Sequence, residues 1–98
     1  MTRQLHTAKA FRADYKKLSQ DEVAETDIVV QKLLHDEPLE SKYRDHALHG
    51  NYDGYRECHI RPDLLLVYKK SNNDKLLILT LYRINSHSNI FNVKKSKK

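Results

Sequence analysis

"YRECHIRPDLLLVYKK", residues 55–70, joins two stretches of opposite character. Leu64-Leu65-Leu66-Val67-Tyr68 is apolar at every position, the pattern of a strand covered on both faces rather than on one. Before it stand Arg56, Glu57, Cys58, His59, Arg61 and Asp63, nearly every ionisable side chain in eight residues. That first half alternates, which places Tyr55, Glu57 and His59 on one face of a strand and Arg56, Cys58 and Ile60 on the other. Pro62, with φ pre-set for a turn, separates the two halves. The pair reads as two antiparallel strands with dense polar chemistry at the mouth of the more hydrophobic one.

Downstream, "SNND" (71–74) has the composition of a hairpin connection, and "KLLILTLYRI" (75–84) is a third strand. It is apolar on both faces, so it belongs inside the sheet. Upstream, residues 39–54, "LESKYRDHALHGNYDG", are polar and irregular, with turns marked by Gly50 and Asp53-Gly54. Helical periodicity precedes them. In "AKAFRADYKKL" (8–18) Ala8, Phe11, Tyr15 and Leu18 recur on one face, with Thr7 as the N-cap candidate. Ser19 and Glu22 have capping-box spacing, and open a second helix over about 20–36 with Val23, Val30, Leu33 and Leu34 on its stripe. Pro38 forbids its continuation. "RQLHT" (3–7) completes the pattern as a short first strand. The order is β-α-α-β-β-β: an α+β domain, a helical hairpin packed on a small, mainly antiparallel sheet. A single domain over residues 1–91 is expected, with "NVKKSKK" (92–98) as a flexible basic tail.

Of the 98 residues 39% are hydrophobic and 32% charged, enough apolar clusters for one modest core. The net charge of +5 is unevenly placed. Residues 1–49 hold eight basic and nine acidic side chains, residues 50–98 ten basic and four acidic. Such asymmetry suits an anionic partner for the second half, nucleic acid first among them. One cysteine excludes an internal disulfide, and no apolar run resembles a signal peptide or a membrane span. A cytoplasmic location and no membrane partner are expected.

Four histidines fall from the polar segment at 39–54 onward: His46, His49, His59 and His87. Imidazole exchanges protons near neutral pH. His59 ends one strand, His87 follows the last, and His46 leads into the first of them, so all three can meet at one edge of the sheet with Asp63. Three imidazoles on a basic surface suit cleavage of RNA by its own 2′-hydroxyl, where a base, an acid and cations on the phosphoryl group are needed. Arg56, Arg61 and Arg83 are the candidate cations, Asp63 the group that orients an imidazole, and Phe91 a ring on which a base stacks. The plainer readings stand beside these: a loop histidine is most often surface polarity, and Arg61 is also an ordinary turn residue. His6 and His35 are assigned to that plain reading, and His49 stays open. No metal and no cofactor are expected. Adjacent Cys58 and His59 point to opposite faces of a strand and cannot easily share one ion.

The ordered set "YRDHALHG", "YRECHIRPD", "LLLVY" and "SHSNIF" resembles the signature of YafQ-like toxins of the RelE/ParE superfamily, toxins of bacterial type II toxin–antitoxin systems. The resemblance implies a ribosome-dependent mRNA endonuclease that halts translation and is neutralised by a cognate antitoxin through an acidic, partly disordered segment. It implies site residues at His46, His59, Asp63, His87 and Phe91. His87 would protonate the leaving oxygen, His46 and His59 would share the base and orienting roles, and Phe91 would position a base. Glu57 falls where the family often carries an acid and would support His59; Arg56, Arg61 and Arg83 would serve the substrate. A non-catalytic ParE-like toxin, or a module that inhibits by binding RNA or protein, is the alternative. Asn85 departs from the family's usual Gly before the final Ser-His; its tolerance of positive φ would preserve the turn.

Overall fold

The structure, a computed structural model, describes residues 2–91, so the expected basic tail at 92–98 lies outside the described residues. Helix α1 spans Lys9–Tyr15, α2 Gln20–Leu34 and α3 His87–Phe91. The strands are β1 (Gln4–Thr7), β2 (His46–Ala47), β3 (Arg56–Arg61), β4 (Leu64–Asn73) and β5 (Leu76–Asn85). They form one sheet in the order β1-β5-β4-β3-β2, parallel only where β1 meets β5. The expected β-α-α-β-β-β path is present, with β2 and α3 added to it.

Local chemistry explains most element ends. Ser19 and Glu22 form the reciprocal capping box, each satisfying a backbone amide of the first turn of α2. This helix ends at Leu34, before Pro38 is reached, because Asp36 turns left-handed at φ 57°. Helix α1 is shorter than its apolar spacing suggests, and Thr7 is not its cap. The N-cap is Ala8, without a side-chain bond, while Thr7 closes β1 and accepts from Arg12. The β4–β5 hairpin is also tighter than expected. Pairing runs through Asn73↔Leu76, so the turn is Asp74-Lys75 and Ser71–Asn73 belong to the ladder. Asp74 takes a positive φ of 55°, the conformation such a two-residue turn requires.

Strand β4 is buried on both faces, as its uniform apolar run demands. Leu64, Leu66 and Tyr68 join Phe11, Val29, Val30 and Leu33 beneath the helical hairpin. Leu65 and Val67 face the other way, under Ile90 of α3, with Tyr55, Tyr82 and Phe91 packed around them. Each fully buried Leu or Val contributes roughly 1.5–3 kcal/mol, and both layers share this one strand. A β-bulge sets the facing of β5. Val67 pairs with Arg83 and Tyr68 with Leu81, which leaves Tyr82 unpaired. Leu81 and Ile84 therefore both reach the helical core, although strict alternation would separate them.

Candidate active site

Glu57 lies in mid-strand on β3 and is only 5% exposed. A buried carboxylate is costly unless it is paired, and here two imidazoles flank it. His46 sits directly across the ladder on β2, and its Nε2 is 3.4 Å from Glu57 Oε2. His59, two residues along the same strand and so on the same face, places its Nε2 3.5 Å from that oxygen. The other ring nitrogens are held by backbone. His46 Nδ1 donates to the Arg44 carbonyl at 2.7 Å, and His59 Nδ1 to the Pro62 carbonyl at 3.3 Å. A carbonyl only accepts, so each Nδ1 carries a proton, and each Nε2 is the nitrogen turned toward Glu57. Arg44 can lend its carbonyl because it takes a left-handed φ of 50° at the end of the 3-10 turn Ser41–Tyr43.

The second half of the site is brought in by α3. His87 opens that helix, and its backbone amide donates to Asp63 Oδ1 at 3.3 Å. Pro62 and Asp63 form one turn, so His59 leans on one residue of it and His87 on the next. Phe91 follows His87 by four positions, one helical turn, and the two rings lie 4.8 Å apart. Asn85 does not take the positive φ expected of it; it ends β5, outside the positive-φ residues. Its side chain instead receives the Ser86 amide at 2.8 Å and the Asn89 side chain at 2.9 Å, and donates to Asp14 at 3.1 Å. Hydrogen bonds thus fix the strand-to-helix junction without a glycine.

All three candidate arginines are already engaged by carboxylates. Arg83 makes a two-point contact with Asp14 at 2.7 and 3.1 Å. Burial acts to raise Asp14, but Arg83, the Ile84 amide and Asn85 together hold its carboxyl below the ordinary value. Asp14 also satisfies the edge of β5 just beyond the end of β1. Arg56 grips Asp45, which Tyr68 also contacts through its hydroxyl. Arg61 holds Glu25 at 2.7 and 3.2 Å. The cations that sequence reasoning missed are Lys42 and Arg44, both exposed. With Tyr43, His59, Arg61 and Glu25 they line a groove of about 660 Å³ beside the histidine pair. Their signal was "SKYR", two cations around an aromatic ring just before Asp45-His46.

Cys58 is fully buried on the helical side, opposite His59, and burial pushes its thiol well above the ordinary range. It is core packing rather than a ligand. His49 is exposed, outside these contacts.

The chain that carries this carboxylate between two imidazoles is similar to known proteins along most of its length. The family model described as "Bacterial toxin of type II toxin-antitoxin system, YafQ" matches residues 3–92. The chain belongs to this family. The Escherichia coli K12 protein named "mRNA interferase toxin YafQ" is 43% identical over 54 residues, 55% of this chain and 54% of that one. The chain thus spans about half the length of the curated relatives it matches. Among solved structures, a copper-bound L66S mutant toxin from Helicobacter pylori is 38% identical, with TM-score 0.79 over 93% of this chain and 100% of that one. The YafQ chain of an E. coli DinJ–YafQ toxin–antitoxin complex is 30% identical, with TM-score 0.74 over 93% and 99%. The fold expected for a YafQ-like toxin is therefore the one found, and among the described residues no helix is long and apolar enough to cross a membrane.

Proposed function

We propose that this YafQ-family chain is a ribosome-dependent endoribonuclease that cleaves mRNA and so arrests translation. The observation that carries the reading is the arrangement of His46 and His59 on Glu57, with His87 pinned by Asp63 to the turn that also holds His59. An E. coli relative carries the name mRNA interferase, which supports the same reaction. One of the β-strand imidazoles removes the proton of a substrate 2′-hydroxyl, and that oxygen forms a bond to phosphorus. The bond from phosphorus to the 5′-oxygen breaks, and His87 supplies the proton the leaving oxygen takes up. A 2′,3′-cyclic phosphate and a 5′-hydroxyl result. Each positioned acid or base is worth about 10²–10⁴-fold in rate, so the pair accounts for a large share of the acceleration. Glu57 orients both imidazoles, Asp63 places His87, and Phe91 stacks a base. Lys42 and Arg44 are the cations placed to meet phosphate, since Arg56, Arg61 and Arg83 are held by carboxylates.

The copper-bound relative raises the question of a resident metal. Among the described residues no group of three or more His, Cys, Asp and Glu side chains is gathered to hold one. The residues do not fit a closed site, and the proposed steps need none. A cognate antitoxin is the second expected partner, by the precedent of the DinJ–YafQ complex. An acidic segment suits the ten basic side chains of residues 50–98.

Expression of wild type and His87→Ala in bacteria, with growth followed and mRNA 5′ ends mapped by primer extension, tests the reading. Growth arrest with new in-frame cuts, both lost in a folded His87→Ala variant, is the expected result. Arrest without cuts, unaffected by the substitution, would transfer the chain to the toxins that act by binding alone.

A further inference from the structure

The sheet face opposite the helical hairpin carries an aromatic layer that the proposed chemistry does not use. Tyr52, from the short turn Gly50–Tyr52, lies 5.2 Å from Phe91 and nearly perpendicular to it. Tyr82 is 6.3 Å from Tyr52 and 5.3 Å from Tyr55. The Lys69 ammonium stands 5.4 Å above the Tyr55 ring. The layer is continuous with the active site, because Phe91 touches both His87 and Tyr52.

Three features separate it from ordinary core. All four rings are only half-buried, whereas Leu65 and Val67 beneath them are closed off. Among the described residues, the hydroxyls of Tyr52, Tyr55 and Tyr82 make no hydrogen bond to protein. Those of Tyr15 and Tyr68 are both anchored, on Asp27 and Asp45. Finally, Tyr82 is the bulged residue of β5, and a bulge beside an active site re-aims a side chain at the expense of ladder pairing.

From this juxtaposition of half-exposed rings, a lysine and the His87–Phe91 pair, we infer that Tyr52, Tyr55 and Tyr82 form a second base-stacking site. It holds a nucleotide of single-stranded RNA flanking the one that is cut. The inference rests on the ribonuclease reading above. Stacking suits this surface because every base has a π-face, so aromatic rings hold RNA without demanding one sequence. Lys69 meets the adjoining phosphate, and the site extends the substrate path beyond Phe91. Tyr52 and Tyr82 are thus substrate-positioning residues, not groups that move protons.

The test uses the full chain and a short 2′-O-methyl RNA oligonucleotide, which binds but lacks the attacking hydroxyl. Aromatic proton NMR follows the rings of wild type during titration. Fluorescence anisotropy gives Kd for wild type, Tyr52→Leu, Tyr52→Phe and Tyr82→Leu. Upfield shifts at Tyr52 and Tyr82 are expected, with Kd raised about 10-fold in the leucine variants and kept within about twofold in Tyr52→Phe. Unmoved tyrosine rings at millimolar RNA, or Phe and Leu variants that bind alike, would overturn the inference. So would rings that shift only with an acidic antitoxin peptide. The wild-type titration needs no variant, so a misfolded substitution leaves it decisive. Cleavage of ribosome-bound mRNA by wild type, run beside it, separates the two readings. Cleavage with unmoved rings sinks only the stacking site; stacked rings without cleavage sink the nuclease and, with it, the placement of the stacked nucleotide beside a cut.

Discussion

Glu57 is the residue whose surroundings say most about the site. Removing a carboxylate from water without a partner costs several kcal/mol, and a protein bent on stability alone would place an apolar residue there. Instead its two neighbours are imidazoles whose Nδ1 atoms are already committed to backbone carbonyls. Glu57→Gln keeps the volume and removes the charge. Because Glu57 orients the imidazoles rather than moving the proton itself, we expect single-turnover cleavage to fall by about 10-fold, part of the roughly 10²-fold or more that a positioned acid or base contributes, with an unchanged circular dichroism spectrum. A bell-shaped pH–rate profile in wild type that loses a limb in the variant would tie the loss to proton transfer. Cleavage as fast as wild type would reduce Glu57 to a packing role.

At the scale of elements, α2 and α3 are built on different terms. Helix α2 is fifteen residues long, carries its own capping box and lays Val29, Val30, Leu33 and Leu34 on the sheet. One defect stands in that face: Thr26 is fully buried, and its hydroxyl has no partner among the described residues. An unsatisfied buried hydroxyl costs about 1–3 kcal/mol. Thr26→Val should therefore raise the urea midpoint, by about 1 kcal/mol of stability; a lower midpoint would mean that the hydroxyl is satisfied in solution. Helix α3 has only five residues, too few to persist alone. It depends on Ser86, Asn85, Asp63 and the burial of Ile90. The element that presents His87 is thus stable only while docked, whereas the strand that presents His59 is part of the core.

Across the whole molecule, the carboxylates that join distant segments set its response to acid. Asp14 ties α1 to the end of β5, and Asp36 ties the end of α2 to Arg3 and Lys70. Arg3 and Lys70 hold Asp36 below the ordinary carboxylate value, and Asp14 lies below it as well. A depressed folded-state pKa means that the unfolded chain binds the proton more readily. The stability these groups add is therefore present above the unfolded value, near 3.9, and is lost as pH falls through the lower folded values. Urea unfolding of wild type and Asp14→Asn should show a gap in midpoint at pH 7 that narrows as pH falls below the unfolded value. A gap of constant size would assign the effect of Asp14 to hydrogen bonding independent of charge.

Much of this architecture was legible along the chain. The uniform run Leu64–Tyr68 announced a strand covered on both sides, and Ser19 with Glu22 announced the start of α2, because periodicity and capping act over a few residues. The charge-rich alternation at 56–59 placed Glu57 and His59 on one face for the same reason. Other features depended on segments far apart in sequence. Short β2 exists only because His46 and Ala47 pair with Glu57 and Arg56, and α3 only because the β3–β4 turn and the sheet receive it. The commitment of Arg56, Arg61 and Arg83 to Asp45, Glu25 and Asp14 was likewise invisible, since each partner comes from another element. So was the bulge that turns Tyr82 toward Tyr52. Local pattern determined the elements and their faces, because backbone geometry and side-chain spacing are properties of neighbouring residues. Only the tertiary structure decided which charges are spent on each other and which side chains remain free for a substrate, because Coulomb attraction and packing act between residues that the sequence keeps apart.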